Sequence, residues 1–172
     1  MMTRIGGLRL GMVVAGTMLT LAVAASPQSP RVLAPTPEAA GRYLVVVGGC
    51  NDCHTPGWAE GNGDVPESEW LVGSSVGFKG PWGTSYPANL RLTAQTLTED
   101  AFVARARAGA GLPPMPWMNL SRMADEDLRS VYAFLRSLGP AGERAPAAVA
   151  PGVEPSTPYF PFEPVMPQAA SR

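Results

Sequence analysis

Cys50-Asn51-Asp52-Cys53-His54 uses both cysteines of the chain and its only histidine. The run has the form C-x-x-C-H, the attachment pattern of a c-type haem. The chemistry needs that spacing. Two thiols three positions apart each add to one vinyl group of a single porphyrin, and the adjacent imidazole lies under the iron as its proximal ligand. Other uses of the same residues are weaker. A structural zinc site wants four protein ligands, and beyond Cys50, Cys53 and His54 no Cys or His remains. A thioredoxin-like redox pair belongs after a strand in a βαβ pattern, which the sequence lacks. A disulfide between these two cysteines would close a small, strained ring. The expectation is one haem c per chain, held by Cys50 and Cys53, with His54 on the iron and the rest of the domain as its pocket.

The chain has 172 residues, enough for one domain with added segments, and 45% of them are apolar. Gly and Pro number 19 each, an excess that points to much loop and extended chain. The formal net charge is −1, and without a basic cluster nucleic acid is not an expected partner. Residues 1–25 have the form of a secretory signal. Arg4 and Arg9 precede an apolar run over residues 10–25 that ends in small residues, with cleavage expected after Ala24 or Ala25. The run is shorter than the ~20 residues of a spanning helix. A cleaved signal therefore outweighs an uncleaved anchor, and no membrane span is expected after cleavage. Export, and a periplasmic location, suit covalent haem attachment, which belongs outside the cytoplasm.

After a lead over residues 26–36, Thr36-Pro37-Glu38 has the form of a helix start, with Thr as N-cap and Pro at the first helical position. The helix is expected over residues 37–48, with Ala40, Tyr43, Leu44 and Val47 as its buried stripe. Gly48-Gly49 then lead into Cys50. Residues 55–89 read as mostly irregular, a length that a bound apolar disc would explain. Trp82 and Tyr86 carry polar hydrogens able to reach a propionate, although plain packing is the commoner use. Arg91 reads as a solvated surface residue before a propionate partner. A second helix starts at Thr98 and runs to residue 108, with Ala101, Phe102 and Ala106 inward, Arg105 and Arg107 solvated, and Gly109 at its end. A third starts at Asp125-Glu126-Asp127, whose acids suit the positive end of the helix dipole. It buries Leu128, Val131, Tyr132 and Leu135, ends at Gly139-Pro140, and should cross the first helix at Gly41, with Tyr43 and Tyr132 nearby. Residues 140–172 form a Pro-rich tail without periodicity, expected to be extended and mostly disordered. Its Tyr159-Phe160-Pro161-Phe162 is the exception, a docking segment for the domain or for a partner.

Between the second and third helices lies Leu112-Pro113-Pro114-Met115-Pro116-Trp117-Met118. With no second histidine, a protein sixth ligand to the iron falls to methionine, a soft, uncharged donor that raises the reduction potential. The prolines around Met115 stiffen the loop and single it out. Met118, Met123 and Met166 remain alternatives, as does an open iron site. Met118 and Met123 also have core uses, and Met123 is placed to staple to Leu128.

The residues Gly41-Arg42-Tyr43-Leu44, Cys50 to Thr55, Tyr86-Pro87-Ala88-Asn89, Met115-Pro116-Trp117 and Asp125-Glu126-Asp127-Leu128 resemble class I c-type cytochromes. They are most similar to the single-haem domains that serve bacterial periplasmic dehydrogenases. The resemblance spans about residues 37–138. It implies an all-α class I cytochrome c fold, with three main helices around one covalent haem, over a domain of residues 37–139. His54 and Met115 are then the axial ligands. It implies an electron-transfer protein and no enzyme of its own, accepting from a donor such as a periplasmic dehydrogenase and passing electrons to an acceptor cytochrome or oxidase. A dedicated haem subunit of a periplasmic dehydrogenase, with the tail as docking strap, is the first alternative. A haem-based sensor or gas binder with an open or weak distal site is the second.

Overall fold

The computed structural model describes residues 31–164. The expected export signal, the first part of the lead, Met166 and the last part of the tail lie outside the described residues.

The first helix, α1 (Pro37–Val47), starts where its cap predicts: Thr36 Oγ1 accepts the Ala39 N–H at 3.2 Å. Two residues later comes α2 (Cys50–His54). A hairpin of β1 (Gly77–Gly80) and β2 (Gly83–Ser85) follows, then α3 (Leu90–Thr96), capped by Asn89 Oδ1 on the Leu92 N–H at 2.9 Å. α4 (Glu99–Ala108) is capped by Thr98 and closed by Gly109 at φ +58°. α5 (Trp117–Leu120) is one turn, α6 (Asp125–Ser137) is the longest helix described, and β3 (Tyr159–Pro161) closes the order. The strands make one sheet in the order β2-β1-β3, with β1/β2 antiparallel and β1/β3 parallel. The described residues are thus helices plus a small sheet, which the all-α expectation did not contain. Among them, no helix is long and apolar enough to cross a membrane.

The three main helices lie where the sequence placed them, and α1 crosses α6 at Gly41. A Cβ there would stand 2.0 Å from the Ser130 carbonyl oxygen and 2.8 Å from Phe134 Cβ, so only glycine permits this approach. The crossing corrects the expected face of α1. Ala40, Gly41 and Val45 are buried and Leu44 half-buried, while Tyr43 and Val47 are 55% and 59% exposed. The i, i+3, i+4 pattern counts only apolar side chains, so it turned Tyr43 and Val47 inward although the crossing at Gly41 itself is the one expected. Tyr43 therefore takes no part in the clamp expected of it. Tyr132 instead donates its hydroxyl to the Leu97 carbonyl at 2.9 Å.

The core gathers Val45, Trp70, Leu71, Ala94, Val131, Phe134 and Leu135, with Trp70 edge-on to Trp58 at 5.0 Å. Phe134 was not in the expected α6 stripe. On α4 the buried residues are Val103 and Ala106, with Phe102 half-buried and Ala101 exposed against expectation. Met123 packs with Leu128 beside α4, the staple geometry of a residue preceding the N-cap.

Two further expectations are corrected. Arg91 is neither solvated nor free for a propionate. It is buried and donates to the carbonyls of Ser68 and Gly139 at 2.6 Å each, and to that of Leu138, tying the end of α6 to the loop before α3. The tail is extended as expected, but through residue 162 it packs back on the domain. Val149 bridges to Thr84, β3 pairs with β1, and Phe160 stacks on Phe78 at 5.8 Å. A polyproline-like composition lacks internal hydrogen bonds, and the edges of the hairpin supply partners for it.

Candidate functional site

Gly48 and Gly49 turn the chain from α1 into α2. Gly49 holds φ +67°, and a Cβ on it would stand 2.9 Å from Asp52 Oδ2. In a helix, positions i, i+3 and i+4 share a face, so Cys50, Cys53 and His54 are brought to one side of α2. Both cysteines are free thiols, Cys50 half-buried and Cys53 exposed. His54 is buried at 7% exposure.

The opposite side of α2 is pinned. Thr55 Oγ1 donates to Asn51 Oδ1 and accepts from the Leu71 N–H, both at 2.8 Å. The Gly73 N–H donates to the His54 carbonyl at 2.8 Å. Gly73, at φ +79°, also lies against the next wall: a Cβ there would be 2.7–2.8 Å from Pro87 O, Ala88 C and Asn89 N. From that wall the Ala88 carbonyl takes the His54 Nδ1 hydrogen bond at 2.7 Å. A carbonyl only accepts, so the proton is on Nδ1 and Nε2 keeps its lone pair. A backbone carbonyl on the second ring nitrogen is the support that metal-ligating histidines commonly have.

Burial, opposed by the Ala88 bond, moves the His54 pKa below its ordinary value, so the imidazole is neutral near pH 7. Burial first, and the Asp52 carboxylate second, push the Cys50 thiol up to about 11 and raise that of Cys53. Reactive redox pairs need lowered thiol pKa values, so this environment suits thiols held for addition rather than a thioredoxin-like couple.

Met115 lies half-buried in the loop before α5. Its carbonyl accepts from the Trp117 N–H at 2.8 Å, and the Trp117 indole packs over Gly111 and donates to the Leu112 carbonyl at 3.3 Å. Ser85 Oγ donates to the Pro113 carbonyl. Residues 85–88 thus touch the methionine loop at one end and His54 at the other, across a span of three residues, about 10 Å of extended chain. Met118, the main alternative, is 64% exposed, which corrects its core use.

Two buried donors of this region have no protein partner: Trp82 Nε1 and Thr84 Oγ1, as does Asn51 Nδ2 in α2. Buried polar groups are nearly always paired, so these three are exceptions. Tyr86 is not free for the use considered for it, because its hydroxyl is shared with Thr157 Oγ1 at 2.8 Å. Large apolar side chains stand exposed just before Cys50 (Val46, Val47) and on either side of Met115 (Leu112, Met118). Among the described residues, no cluster of three or more His, Cys, Asp or Glu is placed to hold a metal ion; a His and thioether ligand pair needs none. A cleft of about 350 Å³ between α3 and the tail is lined by Tyr86, Ala88, Asn89, Thr93 and Arg144, and not by the cysteines, His54 or Met115.

The sequence missed two supports of this site, Gly73 and Ser85, which have no local signature. Asn51 stood out only as a spacer of the C-x-x-C-H run, and the runs that hold Thr55 and Ala88 only through the resemblance. No family model, curated protein or solved structure matches this chain.

Proposed function

We propose that this chain is an exported one-electron carrier of the periplasm, with one haem c joined to Cys50 and Cys53 and with His54 and Met115 as axial ligands. The observation that carries this reading is His54: buried, neutral, its Nδ1 proton held by Ala88 at 2.7 Å, one residue from Cys53 on a helix that presents both free thiols on the same face. The haem would supply a one-electron couple at its iron. The chain's own residues do the rest. Each cysteine S–H adds across a vinyl double bond, giving a thioether without an external oxidant. Ala88 raises the basicity of the imidazole and fixes its ring. Met115, on its proline-stiffened loop, favours the reduced state. A donor dehydrogenase and an acceptor cytochrome or oxidase would dock transiently over a small interface.

The exported protein should give the alkaline pyridine spectrum of a c-type haem that survives denaturation. A haem-free exported protein would end this reading. Met115→Ala should abolish the weak long-wavelength sulfur-to-iron band of the oxidised form and lower the potential, while Met118→Ala should leave both intact; the reverse would transfer the ligand role to Met118. Tight carbon monoxide binding by the untreated ferrous protein would favour the sensor instead. The subunit alternative keeps one supporting observation, the exposed rings of Phe160 and Phe162 on the docked tail. Co-purification with a dehydrogenase that Phe160→Ser abolishes would favour it.

A further inference from the structure

We propose that residues 141–162 act as a positioning strap for His54, holding the hairpin and residues 86–89 after it so that the Ala88 carbonyl stays on the imidazole. A hairpin of four and three residues is marginal in water by itself, yet this one and the segment just after it carry two supports of the site, Ser85 on the methionine loop and Ala88 on His54. Both of its edges are closed by the same segment. On the β1 edge, the Gly77 N–H donates to the Pro158 carbonyl at 2.9 Å and the Phe162 N–H to the Lys79 carbonyl at 2.7 Å. On the β2 edge, Thr84 and Val149 exchange two backbone bonds of 2.9 Å. Gly83, at φ +95°, lets the strap approach: a Cβ there would lie 2.1 Å from the Val149 carbonyl oxygen.

The strap then follows the chain toward Ala88. Tyr86 shares its hydroxyl proton with Thr157 at 2.8 Å. Asn89 donates from Nδ2 to the carbonyls of Ala141 at 2.8 Å and Glu143 at 3.1 Å, while its Oδ1 caps α3. Residues 84, 86 and 89 are thus held by the strap, and 85 and 88, between them, hold the site. Phe162 lies edge-on to both Phe78 and Trp82, at 6.3 and 5.8 Å, which closes the strap over the hairpin turn. The strap touches neither thiol nor imidazole, so its role is to position.

The experiment uses the full-length exported protein and the double variant Tyr86→Phe, Val149→Pro, which removes one side-chain and one backbone bond of the strap. Hydrogen exchange is followed at the His54 Nδ1–H and at the amides of Gly73 and Leu90. Exchange at all three should quicken about tenfold. The reduction potential should rise, because a weaker Nδ1–H···O bond leaves a poorer donor to ferric iron. The conservative Tyr86→Phe alone should move both readouts the same way by less, and it serves if the double variant fails to fold. Val153→Ser, on an exposed strap residue, should change neither. Faster Gly73 and Leu90 exchange with unchanged His54 exchange and potential would overturn the proposal, as would exchange at all three sites indifferent to the variants. The potential rests on the haem reading, but the exchange does not. A haem-free wild type would sink that reading and still leave His54 exchange to decide this one.

Discussion

Gly41 and Arg91 carry more of the fold than their residue types suggest. Adding a methyl at Gly41 forces α1 off the Ser130 carbonyl 2.0 Å away. Gly41→Ala should therefore cost about 1–3 kcal/mol, as other overpacked contacts do, read as a lower urea midpoint with an unchanged slope. Arg91→Leu keeps the bulk but strands the carbonyls of Ser68, Leu138 and Gly139. A loss of about 1–3 kcal/mol is expected, again by urea titration, with covalent haem attachment retained. Gly41 was legible as a close crossing, because a small residue on an apolar helix face has few other uses. Arg91 was not. Its partners lie 23 to 48 residues away and are backbone oxygens, which leave no mark on residue type.

Helix starts were legible because their chemistry is local. Thr36 and Thr98 each accept the N–H three residues on, at 3.2 Å. Thr36→Ala and Thr98→Ala should each cost about 1 kcal/mol, additively, since they cap different helices; a double variant in thermal unfolding checks this. Helix faces were less legible. The inward side of α1 is set by Gly41 against α6, and α4 turns Val103 inward to pack with Leu128. Arg107 is exposed, as expected, and also bonds Asp125 Oδ1 at 2.7 Å and the Ser121 carbonyl at 2.6 Å. The short elements α2, α3 and α5 and the hairpin went unread because each is too brief for its own periodicity.

Across the whole molecule, the docked tail makes the domain larger than the sequence suggested, and an exposed ion pair adds to the backbone and aromatic contacts that hold it. Glu154 accepts from Lys79 and, at 2.7 Å, from the Tyr159 hydroxyl. The Lys79 and Tyr159 hydrogen bonds hold the Glu154 carboxyl below its ordinary value of 4.5. The Glu154 bond, first, raises Lys79 above 10.5. A depressed carboxyl contributes fully above 4.5 and is lost as pH falls through its lower folded value. A raised ammonium contributes below 10.5 and is lost as pH rises through its higher folded value. Tail protection in hydrogen exchange should therefore hold from mildly acidic to mildly alkaline pH and fall off outside that range. Glu154→Gln should remove the acid limb of the profile and weaken protection at pH 7. Both groups are exposed, so added salt should blunt the effect.

By itself the sequence determined the C-x-x-C-H run, the three main helices with their caps, the crossing at Gly41 and the short list of methionines. Each of these is written within three to seven neighbouring positions, where spacing and residue type are the physics. Only the tertiary structure decided the face of α1, the anchoring of Arg91, the sheet, and the carbonyl that holds His54. That carbonyl lies 34 residues from the imidazole, and the parallel pairing of β1 with β3 joins Gly77 to Tyr159. Both links end on backbone groups, which every residue carries, so they leave no mark on residue type and appear only once the chain is folded.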